Sequence, residues 1–186
     1  MIFSLKKLVS IIILLFKGKE AYAKYLGVKF GDNCRIYTIH FGSEPFLISI
    51  GNNVTVTSGV KFITHDGSTW LMRDQKGRRF YYAPIEINNN IFIGVNSIIM
   101  PGVKIENRVI IAAGSVVTKS IPSGVIVAGV PAKIIGKYDD IEKRMLKSYV
   151  SEDDINKTLS YKERVIKLIS SEYKQFLKNE CTYHSS

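Results

Sequence analysis

An aliphatic residue recurs at every sixth position over residues 87–122. The series is Ile87, Ile93, Ile99, Ile105, Ile111 and Val117, and four positions after each member comes a second small or branched residue: Ile91, Ser97, Val103, Val109, Ser115 and Ile121. This spacing fits neither the period of a helix nor that of an ordinary strand. It is typical of a parallel β-helix, in which each hexad forms a short strand and a turn. Three hexads close a coil, so we predict that residues eighteen apart stack: Ile87 on Ile105, Ile93 on Ile111 and Ile99 on Val117.

The same period appears upstream and is interrupted once. Strong hexads begin at Ile50, Val56 and Phe62, and a weaker pair begins at Phe30 and Ile36. An all-β sandwich with short strands is the alternative, but nine strong hexads in one frame argue against it. Residues 66–86 break the period, which predicts a loop extruded from the coil. Long loops in compact domains are often functional.

The two ends of the chain do not follow the hexad pattern. Residues 1–25 contain an apolar run of nine residues, Leu8 to Phe16, which is too short to span a bilayer as a helix. The segment imitates a secretory signal, but Lys17, Lys19 and Glu20 argue against processing. We predict a retained amphipathic helix that either packs within the oligomer or contacts the inner membrane surface.

Residues 138–186 have the composition of charged helix. Apolar residues recur there at roughly helical spacing: Ile141, Met145, Leu146, Tyr149, Leu159, Val165, Ile166, Leu168, Ile169, Tyr173 and Phe176. This pattern predicts two amphipathic helices with a break near residues 151–154. We expect them to cap the open end of the β-helix domain, which spans residues 26–137.

The net charge narrows the choice of partners, and the cysteine content indicates the redox compartment. The net charge of +10 favours an anionic partner, such as a nucleotide cofactor, an acidic glycan or an anionic membrane face. The basic residues are spread along the chain and no nucleic-acid module is recognised, so nucleic acid is not expected. Two cysteines, Cys34 and Cys181, cannot build a disulfide framework, which indicates a reduced, cytoplasmic compartment.

Two motifs after the hexads carry a family resemblance. Residues 118–122 read Thr-Lys-Ser-Ile-Pro, and residues 128–133 read Ala-Gly-Val-Pro-Ala-Lys. From about Gly27 to Lys137 the chain resembles the hexapeptide-repeat acyltransferases. The resemblance implies a left-handed β-helix, an exception to the usual right-handed crossover. It also implies a homotrimer and an acyl-coenzyme A donor, usually acetyl-CoA.

Acetyl transfer to a hydroxyl needs a base, and histidine is suited to this near neutral pH. His184 lies in a segment expected to fray, and His40 lies in a weak coil where a surface or structural role fits better. His65 ends a strong hexad and opens the loop, as similar histidines do in the xenobiotic and polysaccharide branches of the family. We therefore predict that His65 is the general base. Asp66 either holds the tautomer of the His65 imidazole, as a carboxylate does in hydrolase triads, or forms a turn.

Asn96 departs from one branch of the family. Galactoside and maltose acetyltransferases carry their catalytic histidine at this position, and asparagine cannot act as a base. Either the base has moved to His65 or the chain is not a catalyst. Asn96 would then orient the acceptor or the pantetheine arm.

The resemblance also implies where the cofactor and acceptor bind. Pantetheine would lie between neighbouring β-helices, bonded to backbone groups of Gly94, Ala112, Ala113 and Gly114. The adenine and phosphate end would face Thr118, Lys119, Lys133 and Lys137, since lysine is a suitable phosphate partner. In the loop, Trp70, Arg73, Tyr81 and Tyr82 suit a glycan or nucleotide, the alternative being contact with the next subunit.

These features favour an acetyl-CoA-dependent O-acetyltransferase acting on a sugar hydroxyl of a bacterial surface polysaccharide or its precursor. Acetylation of an antibiotic or of an amino-sugar nucleotide is the nearest alternative. A zinc enzyme of this fold would need three histidine ligands, whereas the predicted solenoid carries only His40 and His65, so no metal is expected. A non-catalytic β-helix scaffold is the remaining hypothesis.

Overall fold

The computed structural model describes residues 5–169 and 173–175. These belong to two compact units, which are divided between residues 142 and 143. The first unit contains the β-helix and the N-terminal helix. The second contains most of the C-terminal helical segment.

The first unit is built from very short strands. They are β1 (Lys29–Phe30), β2 (Arg35–Ile36), β3 (Ile48–Ile50), β4 (Val54–Val56), β5 (Lys61–Phe62), β6 (Arg73–Asp74), β7 (Gly77–Arg78), β8 (Ile85–Ile87), β9 (Ile91–Ile93), β10 (Ile98–Ile99), β11 (Lys104–Ile105), β12 (Val109–Ile111), β13 (Val116–Val117), β14 (Val125–Ala128) and β15 (Lys133–Lys137). Face 1 has the order β1-β3-β8-β11, face 2 the order β15-β14-β12-β9-β4-β2, and face 3 the order β13-β10-β5. Except for β15, which is antiparallel to β14, neighbouring strands within each face are parallel.

The register confirms the predicted eighteen-residue stacking. Ile87 pairs with Ile105, Ile93 with Ile111, and Ile99 with Val117. These side chains are almost completely buried, as are the second residues of each hexad. The aliphatic columns therefore form the core, and each coil buries its apolar side chains against the coils before and after it.

Three corners join the faces, and each is defined by its turns. The first corner (residues 31–34, 51–53, 88–90 and 106–108) follows face 1, the second corner (37–39, 57–60, 94–97 and 112–115) follows face 2, and the third corner (41–47, 63–84, 100–103 and 118–120) follows face 3. At the first corner Asn33, Asn53 and Asn90 have φ values of 54°, 56° and 59°. Their amides form a ladder from coil to coil. Asparagine suits these turns because its short side chain tolerates the left-handed region.

The coil frame has two interruptions, both at the third corner. Ile50 pairs with Ile87, thirty-seven positions away instead of eighteen, because the predicted loop is extruded between face 3 and face 1. The loop ends at residue 84, two residues earlier than predicted, since Ile85 is buried and pairs with Ile48. A smaller insertion lies in the first coil, where Phe30 pairs with Ile50 and a short 3₁₀ turn spans Pro45–Leu47.

Helix α1 spans Leu5–Leu26 and is bent at Gly18, whose φ is 82°. The segment after the bend is attached to the β-helix: Ala23 is buried in the core, and the Lys19 ammonium donates to the Tyr37 carbonyl at 2.7 Å. Among the described residues, no helix is long and apolar enough to cross a membrane.

Helices α2 (Tyr138–Ser148) and α3 (Tyr161–Leu168) follow the last strand. The first turn of α2 is held by Arg108, which bonds Asp139 and Glu142 at 2.5 and 3.0 Å. Helix α3 begins at a capping box formed by Ser160 and Glu163. Three residues singled out in the sequence, Phe176, Cys181 and His184, lie outside the described residues.

Candidate active site

His65 lies at the base of the extruded loop, at the third corner. Its Nδ1 is 3.0 Å from Oε2 of Glu44, which comes from the small insertion in the preceding coil. The same carboxylate oxygen accepts a 2.5 Å hydrogen bond from the hydroxyl of Thr64, which is completely buried. Stacking of the two insertions at one corner thus pairs an imidazole with a carboxylate.

The environment of Glu44 favours its ionised form. Burial raises the pKa of this carboxyl, but the hydrogen bonds from Thr64 and His65 outweigh that effect, so the pKa lies below its ordinary value. A carboxylate can only accept hydrogen bonds. Nδ1 of His65 therefore carries the proton, and in the neutral imidazole Nε2 is the basic nitrogen.

Asp66 takes the turn-forming role of the two predicted for it. Its carboxylate accepts from the backbone amide and the hydroxyl of Ser68, and it caps the short 3₁₀ helix Gly67–Leu71. These two bonds lower the pKa of the exposed Asp66 carboxyl. Glu44, which the sequence analysis did not single out, occupies the position beside the imidazole instead.

His65 opens onto a cleft that runs along the third corner. The cleft has a volume of about 480 Å³, and its lining comes from three successive coils and the loop: Ile63, His65, Asp66, Gly67, Tyr81, Met100, Pro101 and Thr118. Of the predicted site residues it brings together His65, Asp66, Tyr81 and Thr118. The cleft therefore presents one basic nitrogen, a phenol and an exposed hydroxyl in a partly apolar setting.

The loop divides its predicted substrate residues between two places. Tyr82 and His65 form an antiparallel β-bridge through their backbones, and their ring centroids are 5.8 Å apart. Tyr81 lines the cleft. Trp70 and Arg73 pack together farther along the loop, where the guanidinium of Arg73 lies 4.5 Å from the indole centroid. Arg78 also stacks on Trp70, at 4.8 Å. The tyrosines, not Trp70, are the aromatic side chains next to His65.

Asn96 lies at the second corner, away from the cleft that contains His65. Its φ is 59°, and its side-chain oxygen occupies the space where a Cβ of Gly59 would be. Asparagine is well suited to such a turn for the same steric reason as at the first corner. In a single chain Asn96 therefore shapes the turn between faces 2 and 3.

The small residues of the second corner are explained largely by coil stacking. A Cβ on Gly94 would come within 2.7 Å of the Ile111 carbonyl oxygen, so glycine lets the next coil pack directly on it. The amides of Gly94, Ala112 and Gly114 donate to Ile111, Val127 and Val95.

Three of the four predicted pantetheine donors are thus already bonded within the β-helix. Ala113 is the one of the four whose amide donates to no acceptor within residues 5–169 and 173–175. It is also exposed. Of these four residues, it is therefore the one whose backbone amide remains able to contact a cofactor.

The predicted phosphate-binding residues lie at three separate corners. Lys133 follows Ala132, whose amide bonds the Val116 carbonyl next to the second corner. Thr118 and Lys119 follow β13 at the third corner. Lys137 pairs with Val125 at the opposite end of β15, near the first corner. Only Lys133 shares a corner with Ala113 in one chain, so within a single chain the four residues do not come together at one phosphate site.

The described part of the chain offers no metal alternative to this site. No three His, Cys, Asp or Glu side chains within it are grouped so that they hold a metal ion.

Comparison with known proteins identifies the family. The family model for bacterial transferase hexapeptide, six repeats, matches residues 84–119. Protein CapG of Staphylococcus aureus is 48% identical over 154 residues, which cover 81% of this chain and 87% of CapG. The chain belongs to the hexapeptide-repeat acyltransferases.

Other relatives of this acyltransferase support the assignment. Galactoside O-acetyltransferase of Escherichia coli K12 is 35% identical over 113 residues, which cover 60% of this chain and 55% of that enzyme. Among solved structures, a hexapeptide-repeat acetyltransferase of Vibrio cholerae in complex with acetyl-CoA matches with a TM-score of 0.56. It is 24% identical, and the match covers 72% of this chain and 85% of that one. The family and the β-helix fold predicted from the sequence are thereby confirmed.

Proposed function

We propose that this acyltransferase transfers an acetyl group from acetyl-CoA to a sugar hydroxyl of a bacterial surface polysaccharide or its precursor, with His65 as general base. The observation that carries the proposal is the His65–Glu44 pair at the wall of an open cleft. A histidine oriented by a carboxylate is the group that this reaction requires.

Each member of the pair has a distinct task. Glu44 holds Nδ1–H at 3.0 Å, which fixes the tautomer and leaves Nε2 free to accept the hydroxyl proton. Its negative charge also stabilises the imidazolium that forms when the proton arrives. Thr64 holds Glu44 in turn. Acetyl-CoA supplies the acyl group as a thioester and leaves as the thiol, to which the imidazolium returns the proton.

A sugar acceptor fits the walls of the cleft. Tyr81 and Tyr82 place two exposed rings beside His65, and phenolic rings combine an apolar face for a sugar ring with a polar tip for its hydroxyls. The relative from Escherichia coli K12 is a galactoside O-acetyltransferase, which supports the same acceptor class. The open cleft suits a sugar within a longer glycan.

A homotrimer would complete the site. In one chain the base is at the third corner, whereas the free amide of Ala113 and the ammonium of Lys133 are at the second, on the other side of face 3. We propose that the second corner of a neighbouring copy lies against the third corner of this one, so that the cofactor binds between them. A cyclic trimer repeats this contact three times.

An acceptor screen that follows thiol release from acetyl-CoA tests the activity. We expect release to depend on a glycan or a sugar acceptor, and the product to be an alkali-labile ester. Release that depends on an amino acceptor such as an aminoglycoside or an amino-sugar nucleotide would contradict O-acetylation. Failure of coenzyme A to raise the melting temperature would contradict the cofactor assignment.

Mixed oligomers test whether the site lies between copies. His65→Ala and Ala113→Glu variants should each be inactive alone. When the two are unfolded and refolded together, a shared interface pairs an intact His65 from one chain with an intact Ala113 from the other, and about one quarter of the interfaces regain activity. A site contained within one chain would stay inactive in the mixture.

A further inference from the structure

The first half of α1 has an apolar face that nothing in the described chain covers. Leu8, Ile11, Ile12 and Leu15 have the i, i+3, i+4, i+7 spacing of one helix face, and they are 53%, 47%, 46% and 74% exposed. The adjoining Phe16 is 83% exposed. This surface is distinct from the acyl-transfer cleft and plays no part in the proposed reaction.

The same segment is strongly cationic. Residues 5–19 contain Lys6, Lys7, Lys17 and Lys19 and no acidic residue. Lys19 is bonded to the β-helix, but Lys6 and Lys7 line an open cleft of about 450 Å³ with Ser10, Tyr25 and Leu26. On a helical projection Lys6, Lys7 and Lys17 fall outside the apolar face. With the apolar face inserted between lipid headgroups and acyl chains, these lysines would lie on the headgroup side of the helix, from which their long side chains can reach the phosphates.

The bend at Gly18 separates this amphipathic segment from its support. Residues after the bend are fixed by the burial of Ala23 and by the bond from Lys19 to Tyr37. Residues before the bend expose their apolar side chains. The segment is continuous in sequence with a helix that is firmly attached, so a surface that binds the segment also holds the β-helix.

We propose that residues 5–17 dock the protein on an anionic lipid surface, with the apolar face inserted at the interface and Lys6, Lys7 and Lys17 contacting lipid phosphates. Charge complementarity selects this occupant, since residues 5–17 carry three lysines and no acidic residue. Such binding combines apolar burial with attraction to anionic lipid. It would hold the acyltransferase at the membrane regardless of the acceptor it acts on.

Vesicle sedimentation with the full chain tests the proposal. We expect binding to vesicles of phosphatidylcholine mixed with phosphatidylglycerol and little binding to phosphatidylcholine alone. Leu8→Ser combined with Leu15→Ser should abolish binding. A matched control is Leu146→Ser with Ile166→Ser, which removes exposed apolar side chains from α2 and α3; it should bind like the wild type.

A second pair of variants tests the electrostatic contribution of the lysines to binding. Lys6→Gln, Lys7→Gln and Lys17→Gln together should weaken binding, by about fivefold per charge at low salt. Lys143→Gln, Lys147→Gln and Lys162→Gln change the net charge equally and should have little effect.

Three results would overturn the proposal. These are equal binding to both kinds of vesicle, loss of binding in the C-terminal controls but not in the α1 variants, and no binding at all. If α1 instead packs within the oligomer, the leucine variants would lower the oligomer mass measured by light scattering and leave sedimentation unchanged.

Discussion

Replacement of Glu44 by glutamine would remove the charge next to His65 and leave the shape of the side chain almost intact. The carboxylate accepts from Nδ1 at 3.0 Å, a charge-assisted bond that contributes about 1.5–3 kcal/mol. If that contribution is realised as the imidazolium forms, its loss lowers kcat by about 10–10²-fold. The loss in buried triads reaches about 10⁴-fold. We expect less here because the side chains of His65 and Glu44 are 36% and 18% exposed, so that water partly replaces the carboxylate.

The assay is steady-state thiol release from acetyl-CoA with a saturating acceptor. Glu44→Gln should lower kcat while leaving the KM for acetyl-CoA nearly unchanged, since Glu44 acts through His65. Asp66→Asn is the matched control, because the Asp66 carboxylate accepts from Ser68 in its own turn and not from His65, and its kcat should stay within about threefold of the wild type. Equal losses in the two variants, or a normal kcat in Glu44→Gln with an intact melting transition, would refute the positioning role of Glu44.

Three further predictions concern stability and the cofactor. Gly94→Ala should destabilise the fold by about 1–3 kcal/mol because a Cβ meets the backbone of the next coil, whereas Gly67→Ala, with open space around it, should leave Tm almost unchanged. Lys133→Glu should weaken coenzyme A binding by about tenfold, which would be seen as a smaller ligand-induced rise in Tm. Lys137→Glu, at the other end of β15, should leave that rise unchanged. Equal effects of the two substitutions would contradict a phosphate site at Lys133. Because the native pKa of Glu44 is lowered, its ionisation stabilises the fold above the carboxyl's ordinary pKa of 4.5, and this contribution disappears as pH falls through the native value. The Tm difference between wild type and Glu44→Gln should therefore shrink below about pH 4, and a difference that grows with acidity would contradict this.

The hexad pattern predicted the coils because the physical constraint is local and repeated. Each aliphatic position must be buried on its own face, so the six-residue spacing gives the stacking partners directly, as Ile93 and Ile111 show. The position of the loop followed from the same frame. Its end was placed two residues late, because Ile85 precedes the first strong hexad and only its pairing with Ile48 shows that it belongs to a strand.

The carboxylate beside His65 was missed because it comes from a different coil. Asp66 is next to His65 in sequence, but successive residues of an extended chain point in opposite directions, whereas Glu44 comes from the preceding coil at the same corner. A signal was present: the hexad frame slips by two residues between Ile36 and Ile50, at the same corner as the loop, and Glu44 lies within that slip. When a hexad insertion carries a carboxylate at the same corner as a histidine, the carboxylate is therefore a candidate partner for that histidine.

The cofactor residues were predicted from the family pattern, and their grouping depends on three-dimensional contacts. The family pattern predicts that a cofactor approaches Gly94 closely, but the space next to Gly94 is filled by the following coil. Lys133 and Lys137 are close in sequence but lie at opposite ends of β15. Spacing along the chain could not reveal which corner each would occupy.

The kinetics of His65→Ala test the central claim most directly. If His65 is the general base, kcat for acetyl transfer should fall by about 10²–10⁴-fold, while the KM for acetyl-CoA and the melting transition stay close to those of the wild type. His40→Ala is the control, since His40 is exposed on face 3, and its kcat should be close to that of the wild type. A near-normal kcat in folded His65→Ala would contradict the assignment of the base and, with it, the mechanism proposed for this cleft.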